Sequence, residues 1–265
     1  FILYHQITEL YFKLILIELE QINYNGRNIL DTGEDLGWHK NLKTSLFINK
    51  LKRINRYLSN LITSFDIMVL GMEKEQFLKF RMALLPSSGF QSVQYRTIEF
   101  HSTDLVNLTN SSTSSSNSYN SLDDIFPFLY WKVGANDLKT NKKTYTLKQF
   151  EKKYESRLRV IADKMRHVNI WQKYKQLSKV DQEDKELISC LRQFDENLNI
   201  RWCLAHYRSA VKYLKNSKTH IKATGGTNWQ EYLPPKFQKI IFFPDLWTTE
   251  EKAHWGKIWV DEYVK

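Results

Sequence analysis

Glycine and proline are scarce in this chain, and their scarcity limits the folds that it can adopt. The sequence of 265 residues contains only 9 Gly and 5 Pro. An all-β sandwich or barrel needs a turn about every 8–12 residues, and these two residues are the commonest means of making one. Hydrophobic residues form 42% of the chain, which is enough to build a large core. We therefore predict an all-α protein with a single domain over residues 1–265.

Apolar residues recur at intervals of three and four along most of the chain, as on one face of an α-helix. The segment 1–22 is apolar nearly all round in its middle, so we expect this first helix to be buried between others. Further helices are predicted over residues 46–70, from Glu73 to Pro86, over 147–177 and over 183–216, and a tryptophan-rich one in the tail.

Two polar segments separate these helices. Residues 27–45 are rich in turn-forming residues, and residues 103–121 consist mostly of Ser, Asn and Thr. A segment of the second composition buries too little apolar surface to offset the entropy lost on ordering. We predict that residues 103–121 form a long flexible surface loop within the domain.

The charge and the cysteines exclude several classes of protein. The net charge is +10, but the basic residues are interleaved with acidic ones, as on solvated helix faces, and we predict no nucleic-acid partner. Cys190 and Cys203 lie on one predicted helix, too far apart for a disulfide. The sequence contains no run of 18 uncharged apolar residues, so we expect no membrane segment and a cytoplasmic location.

The first candidate for chemistry is the pair formed by Phe1 and His5. The two residues are four positions apart and share one face of the first helix. A neutral imidazole there can accept a hydrogen bond from a substrate N–H. The alternative is a core histidine bonded to a neighbouring carbonyl, and the spacing leaves both open.

The second candidate combines Arg81 and Ser88. Arg81 lies one turn before Pro86 ends its helix, and Ser88 follows directly after. A guanidinium group binds both oxygens of a carboxylate at once, so the junction suits a carboxylate ligand. Alternatively, Arg81 binds helix-end carbonyls while Ser88 caps a helix that restarts at Phe90.

The third candidate lies late in the chain. Trp202 and His206 share a helix face, and a neutral imidazole on an apolar face beside a cavity can be the proximal ligand of haem iron. The sequence Thr224-Gly225-Gly226-Thr227 follows. Its amide and hydroxyl groups can bind an anion.

Taken together and in order, these motifs resemble the tryptophan 2,3-dioxygenase family. FxxxHQxxELxFK begins at Phe1, FRxxLxPxSGFQSxQxR at Phe80, and WxxxH at Trp202. TGGTxxxxYL begins at Thr224 and FPDLW at Phe243. The middle motif is highly specific, and the resemblance extends over nearly the whole chain.

The resemblance implies an all-helical enzyme with haem b as cofactor, ferrous in the active state, and usually a homotetramer or dimer. Its members use O2 to cleave the indole C2–C3 bond of L-tryptophan, which gives N-formylkynurenine. By the same resemblance His206 is the proximal iron ligand, His5 accepts the indole N–H, and Arg81 pairs with the substrate carboxylate.

The remaining implied roles belong to the substrate pocket. Phe1 and Phe77 are expected to line the indole pocket, Ser88 to border the distal haem face, and Thr224 to contact the ammonium or carboxylate. Trp229 follows the glycine turn where the family has small residues. This difference leaves open an oxygenase or monooxygenase that acts on a modified tryptophan or another aromatic amino acid. A non-catalytic haem-binding or amino-acid-binding protein is a further alternative.

Overall fold

The computed structural model describes residues 1–84, 92–109, 121–135, 142–214 and 239–257. Within these ranges the chain is mainly helical, and the predicted all-α fold is confirmed. The helices are α1 (Ile2–Asn23), α2 (Thr44–Ser64), α3 (Asp66–Gly71), α4 (Lys74–Phe80), α5 (Val93–Ser102), α6 (Leu122–Ile125), α7 (Tyr130–Val133), α8 (Tyr145–Met165), α9 (Ile170–Lys175), α10 (Lys179–Gln182), α11 (Lys185–Glu196), α12 (Trp202–Leu214) and α13 (Thr249–Ala253). No helix in these ranges is long and apolar enough to span a bilayer.

Short elements connect the helices. The segment predicted to be turn-rich forms a small antiparallel hairpin of β1 (Arg27–Ile29) and β2 (Asp35–Trp38). Helical turns of the 3-10 type occupy Arg81–Leu84, Leu105–Leu108, Phe126–Phe128 and Pro244–Leu246, and a π-helical turn occupies Asn197–Arg201.

The core lies between α1, α2, α5 and α11. Helix α1 packs against α2 and α5, α2 packs against α11, and α5 packs against α8. Completely buried side chains include Ile15, Leu19, Leu51, Leu58, Leu191 and Phe194.

Helix α1 corrects one prediction. The inner face is buried, but the opposite face exposes a row of large apolar side chains, among them Leu10 and Ile17. The expectation that α1 is buried all round is therefore wrong. The helix is rich in apolar residues because they occupy both its buried face and its exposed face.

The helix predicted over residues 46–70 is interrupted at Phe65. The Ser64 hydroxyl donates to the Leu61 carbonyl and also bonds the Tyr4 hydroxyl at 3.0 Å. A serine that bonds a carbonyl of its own helix competes with the regular ladder. Helix α2 ends at Ser64, and α3 begins at Asp66, one residue after this interruption.

The two late helical stretches are also subdivided. Helix α8 ends at Met165, and α9 restarts where the Asn169 side chain accepts a hydrogen bond from the Gln172 backbone N–H. The second stretch runs from α11 through the π turn into α12 without a break. Cys190 and Cys203, which lie on it, are both free, as predicted.

The first residues of the predicted surface loop at 103–121 do not lie on the surface. Thr103, Leu108 and Thr109 are buried, and the Thr103 hydroxyl donates to the Phe242 carbonyl. The prediction of a flexible surface loop is therefore wrong for residues 103–109, where the Thr103 hydroxyl bonds the tail. Residues 110–120 lie outside the described ranges.

A buried ion pair within α5 is hydrogen-bonded to Tyr130 of α7. The Arg96 guanidinium donates to both oxygens of Glu99 at 2.9 and 2.8 Å and to the Tyr130 hydroxyl at 2.7 Å. The Tyr130 hydroxyl donates in turn to Glu99. Burial raises the pKa of Glu99, and the Arg96 charge opposes that rise. Removing one member of such a cluster leaves a buried charge without its partner, which is costly.

A second buried carboxylate, Asp195, fixes the tail to the core. It accepts hydrogen bonds from the backbone N–H groups of Phe242 and Phe243, from the Trp247 indole at 3.0 Å and from the Asn199 side chain at 2.7 Å. Burial raises the pKa of Asp195 to about 6, against these hydrogen bonds. The Asp195 side chain thus provides the hydrogen-bond acceptor for N–H groups that are buried when the tail packs against the core.

We expect Asp195→Ala to lower the free energy of unfolding by about 3 kcal/mol, because several buried N–H groups lose their acceptor. Urea denaturation followed by far-UV circular dichroism measures the loss. Asp163→Ala is the matched control, since Asp163 is exposed on α8 and its change should stay below about 0.5 kcal/mol. Equal losses in the two variants would contradict this account of Asp195.

Candidate active site

His206 lies on α12 against two aromatic rings. The centroid of its ring is 4.4 Å from that of Trp202 and 4.5 Å from that of Phe65. Its Nδ1 lies 2.9 Å from the Trp202 carbonyl, one turn earlier. A carbonyl can only accept, so Nδ1 carries the proton and Nε2 keeps its lone pair. Burial lowers the pKa of His206 to about 4, so the ring is neutral at physiological pH.

His5 has the same internal arrangement at the start of α1. Its Nδ1 donates to the Phe1 carbonyl at 2.9 Å, which leaves the Nε2 lone pair as an acceptor. Burial also lowers the pKa of His5. The bond to a neighbouring carbonyl, one of the two interpretations that the sequence left open, is therefore present, and acceptance of a hydrogen bond from a substrate stays a prediction.

Aromatic side chains from α1 and α4 form one wall beside His5. The Phe1 ring lies 4.2 Å from His5 between centroids, 5.8 Å from Phe77 and 5.7 Å from Phe80. Phe77 contacts Tyr213 of α12 at 5.3 Å. The rings of Phe1 and Phe77 are thus neighbours, and Phe1 also contacts His5.

A second set of rings joins His5 to His206. Tyr4 lies between His5 and Phe65, with centroid distances of 5.9 and 6.0 Å, and Phe65 contacts His206. The two histidines are close enough that His5 contributes to lowering the pKa of His206, after burial itself. Residues separated by two hundred positions in the sequence therefore share one aromatic environment.

Arg81 follows Phe80 directly, in the 3-10 turn that ends α4. It is partly buried, which lowers its pKa; a guanidinium group nevertheless remains charged in proteins. Ser88, Thr224 and Trp229 lie outside the described residues. Their roles remain predictions. Ser92 caps α5, where its hydroxyl accepts from the Tyr95 N–H.

Two residues of this site were missed by the sequence analysis. The Gln94 side chain donates to the backbone carbonyl of Glu9 at 2.9 Å and to its carboxylate at 2.6 Å. Glu9 lies one turn after His5, so this contact ties the helix of His5 to the segment that follows Arg81. Both residues belong to motifs that the sequence analysis quoted, but their pairing is a tertiary contact that spacing does not reveal.

The π turn before α12 is a further unpredicted feature. It leaves the Leu198 carbonyl to accept from the Tyr95 hydroxyl at 3.4 Å and from the Cys203 thiol at 3.7 Å. A π turn adds one residue to a helical turn and so rotates the residues that follow it. Trp202 and His206 come directly after this turn and inherit the rotation.

The donor set fits haem. A single neutral imidazole with a free Nε2, held by a carbonyl and surrounded by aromatic rings, is what a proximal haem ligand requires. Among the residues that the structure describes, no three His, Cys, Asp or Glu side chains form a cluster that could hold a metal ion.

We expect the His206 ring to stay neutral until the pH falls to about 4 in the protein without haem. Its folded pKa lies below the ordinary value of 6.5, so the unfolded chain takes up the proton first. Folding stability is therefore lost as the pH falls from 6.5 toward 4. Ring carbon shifts of labelled histidine, assigned with His206→Gln, measure the midpoint. A midpoint near 6.5 would contradict the burial of this ring.

Comparison with known proteins gives a consistent family. The family model described as tryptophan 2,3-dioxygenase matches residues 1–191. The tryptophan 2,3-dioxygenase of Pseudomonas fluorescens is 36% identical over 100 residues, which cover 38% of this chain and 30% of the relative. That of Dictyostelium discoideum is 36% identical over 99 residues, covering 37% and 22%. Such matches span no more than about a third of the relatives' length.

A longer and weaker match extends over the rest of the chain. The tryptophan 2,3-dioxygenase of Bacillus thuringiensis subsp. konkukian is 26% identical over 265 aligned positions, which cover 95% of this chain and 83% of the relative. The similarity is thus strong for part of the chain, and it continues at lower identity through α12 and the tail.

Proposed function

The chain belongs to the tryptophan 2,3-dioxygenase family, and on that premise we propose that it uses O2 to convert L-tryptophan into N-formylkynurenine. The reaction breaks the indole C2–C3 bond and places one oxygen atom on each carbon, so it needs no external reductant. The observation that carries the proposal is the shared environment of His5 and His206, two neutral imidazoles joined through aromatic rings.

His206 would hold haem b through Nε2. Its Nδ1–H bond to the Trp202 carbonyl fixes the tautomer and the orientation of the ring. When bound, the ferrous haem supplies the activation of O2, which no side chain can provide. The low pKa keeps His206 unprotonated, so the lone pair needed for ligation is present throughout the physiological pH range.

His5 would position the indole. Its Nε2 lone pair faces outward from the helix while Nδ1–H is bonded to the Phe1 carbonyl. The ring can therefore accept a hydrogen bond from the indole N–H, and its lowered pKa keeps that acceptor available. Phe1 and Phe77 would contact the faces and edges of the indole, because an apolar pocket with one acceptor suits that ring.

Arg81 would bind the carboxylate of the amino acid. It lies at the end of α4, next to Phe80 of the aromatic wall. A guanidinium group forms two parallel hydrogen bonds with a carboxylate and so fixes its direction. Ser88 and Thr224 complete the proposal, the first at the distal haem face and the second at the substrate ammonium or carboxylate. We further propose that the enzyme works as a dimer or tetramer.

Product formation tests the reaction. The reduced holoprotein, mixed with L-tryptophan in air-saturated buffer, should generate the near-ultraviolet absorbance of N-formylkynurenine and consume one O2 for each product molecule. Heavy-oxygen labelling should place two labelled atoms in the product. Turnover of a substituted aromatic amino acid with no product from tryptophan, or incorporation of one labelled atom, would overturn the proposed reaction.

Haem retention tests the ligand separately. We expect His206→Ala to lose the Soret absorption of the purified protein, while His5→Ala retains it and loses most of its turnover. His254→Ala is the matched control: His254 also bonds the carbonyl four residues earlier, at 3.0 Å, but is exposed. A His206→Ala protein that folds normally and keeps its haem spectrum would refute the assignment.

A further inference from the structure

Tyr213 of α12 contacts both the end of α3 and the middle of α4. Its side chain is buried. The hydroxyl oxygen lies 2.5 Å from the carbonyl oxygen of Met68, 2.9 Å from that of Met72 and 3.2 Å from that of Val69. The centroid of its ring lies 5.3 Å from that of Phe77. One side chain of α12 thus contacts two consecutive helices of the segment that leads to the candidate carboxylate-binding residue.

The hydroxyl of Tyr213 caps the C-terminal end of α3. The last four carbonyl groups of a helix have no N–H partner within it, and in α3 these belong to residues 68–71. Tyr213 donates to carbonyls of this set, and the Lys212 ammonium also donates to the carbonyl of Val69. A cation at this end of a helix is favoured by the helix dipole. Two consecutive residues of α12 therefore fix the place where α3 ends.

The ring of Tyr213 holds α4. Phe77, Tyr213 and Leu214 form a buried hydrophobic cluster that is separate from the main core. Phe77 is buried, whereas the other six residues of α4 are partly or fully exposed. The packing of Phe77 on the ring of Tyr213 is therefore a principal attachment of α4 to the rest of the protein.

The position of Arg81 depends on this attachment. The Arg81 backbone N–H donates to the Phe77 carbonyl, so helical geometry continues to Arg81 and the two side chains leave the same face. On α12, His206 precedes Tyr213 by seven residues, which is about two helical turns. One face of α12 therefore carries both the proposed iron ligand and the residue that holds α4.

We propose that Tyr213 is a positioning residue for the substrate carboxylate, which it serves by holding α4 so that Arg81 lies at a fixed place relative to His206. The inference rests on the proposed function, in which Arg81 binds the carboxylate. The hydroxyl sets where α4 begins, and the ring sets its direction. A displacement of about 1 Å in such a binding group is enough to weaken its effect strongly.

Steady-state kinetics of Tyr213→Phe test the proposal. The variant keeps the ring and loses the hydroxyl, so we expect KM for L-tryptophan to rise about 10-fold. The value of kcat should stay within about two-fold, because the weakened contact is one of binding. Tyr174→Phe is the matched control: the Tyr174 hydroxyl also donates to a carbonyl at the end of a short helix, that of Gln182 in α10. Its KM should equal that of the wild type.

Two comparisons show whether Tyr213 acts through Arg81. In an Arg81→Gln background, Tyr213→Phe should change KM by less than about two-fold, because no guanidinium group is left to position. Tryptamine, which lacks the carboxylate, should bind equally to the wild type and to Tyr213→Phe in equilibrium dialysis. An equal rise in KM in both backgrounds, or a loss of tryptamine binding, would show a merely structural role and overturn the proposal.

Hydrogen exchange of the backbone amides in residues 66–80 tests the anchor without turnover. Tyr213→Phe should raise exchange in α3 and α4 at least about five-fold and leave α8 unchanged. Lys212→Met should act in the same direction, and its fold is not at risk because Lys212 is exposed. Unchanged exchange overturns the positioning role even in an active enzyme. Raised exchange in a protein that does not bind L-tryptophan would instead refute the proposed function, and with it the role toward the carboxylate.

Discussion

The burial of the Asp195 carboxylate is the interaction on which the arrangement of α12 depends. A carboxylate removed from water must be surrounded by donors, and here they come from Asn199 on its own helix and from the tail residues 242–247. The helix widens into the π turn directly after Asp195 and then continues as α12 with His206. The Asp195 carboxylate therefore connects the tail to the helical stretch that contains the π turn and the proposed iron ligand.

The same principle, removal of polar groups from water, determines the chemistry of the two site histidines. Each ring donates a hydrogen bond from Nδ1–H to a carbonyl one turn earlier, and partial burial lowers the pKa of each. The contrast with Arg81 is informative: burial also lowers its pKa, yet its ordinary value is so high that the charge remains. The candidate site residues thus include two neutral imidazoles and one permanent cation.

The sequence predicts the helices better than their faces and breaks. Periodicity located α1, α2, α8 and α12, since spacing along one helix is a local property. It could not show that α1 has one buried and one exposed apolar face, because the two faces have the same kinds of residues. It could not place the break at Phe65 either, where the contact between Ser64 and Tyr4 joins different helices.

The site shows the same division. The family resemblance implied roles for Phe1, His5, Phe77 and His206 before any geometry was known, and a chain of ring contacts through Tyr4 and Phe65 connects them in the structure. Phe65, which bridges the two halves, occurs in no quoted motif and was only one member of an apolar row. Glu9 and Gln94 are in motifs, but nothing along the chain indicates that they bond each other. A single sequence does not reveal which residues that are distant along the chain contact each other in the fold.

The bond from histidine Nδ1 to the carbonyl four residues earlier occurs at His5, at His206 and also at the exposed His254. An α-helix can therefore set the tautomer of a histidine with its own backbone, without any neighbouring side chain. A helical protein can therefore orient a histidine ring without evolving a partner side chain for it. Exclusion of water from the ring is harder to acquire, because it requires packing by several elements of the fold. New ligand histidines in such proteins should therefore arise when other side chains come to cover a histidine that is already oriented.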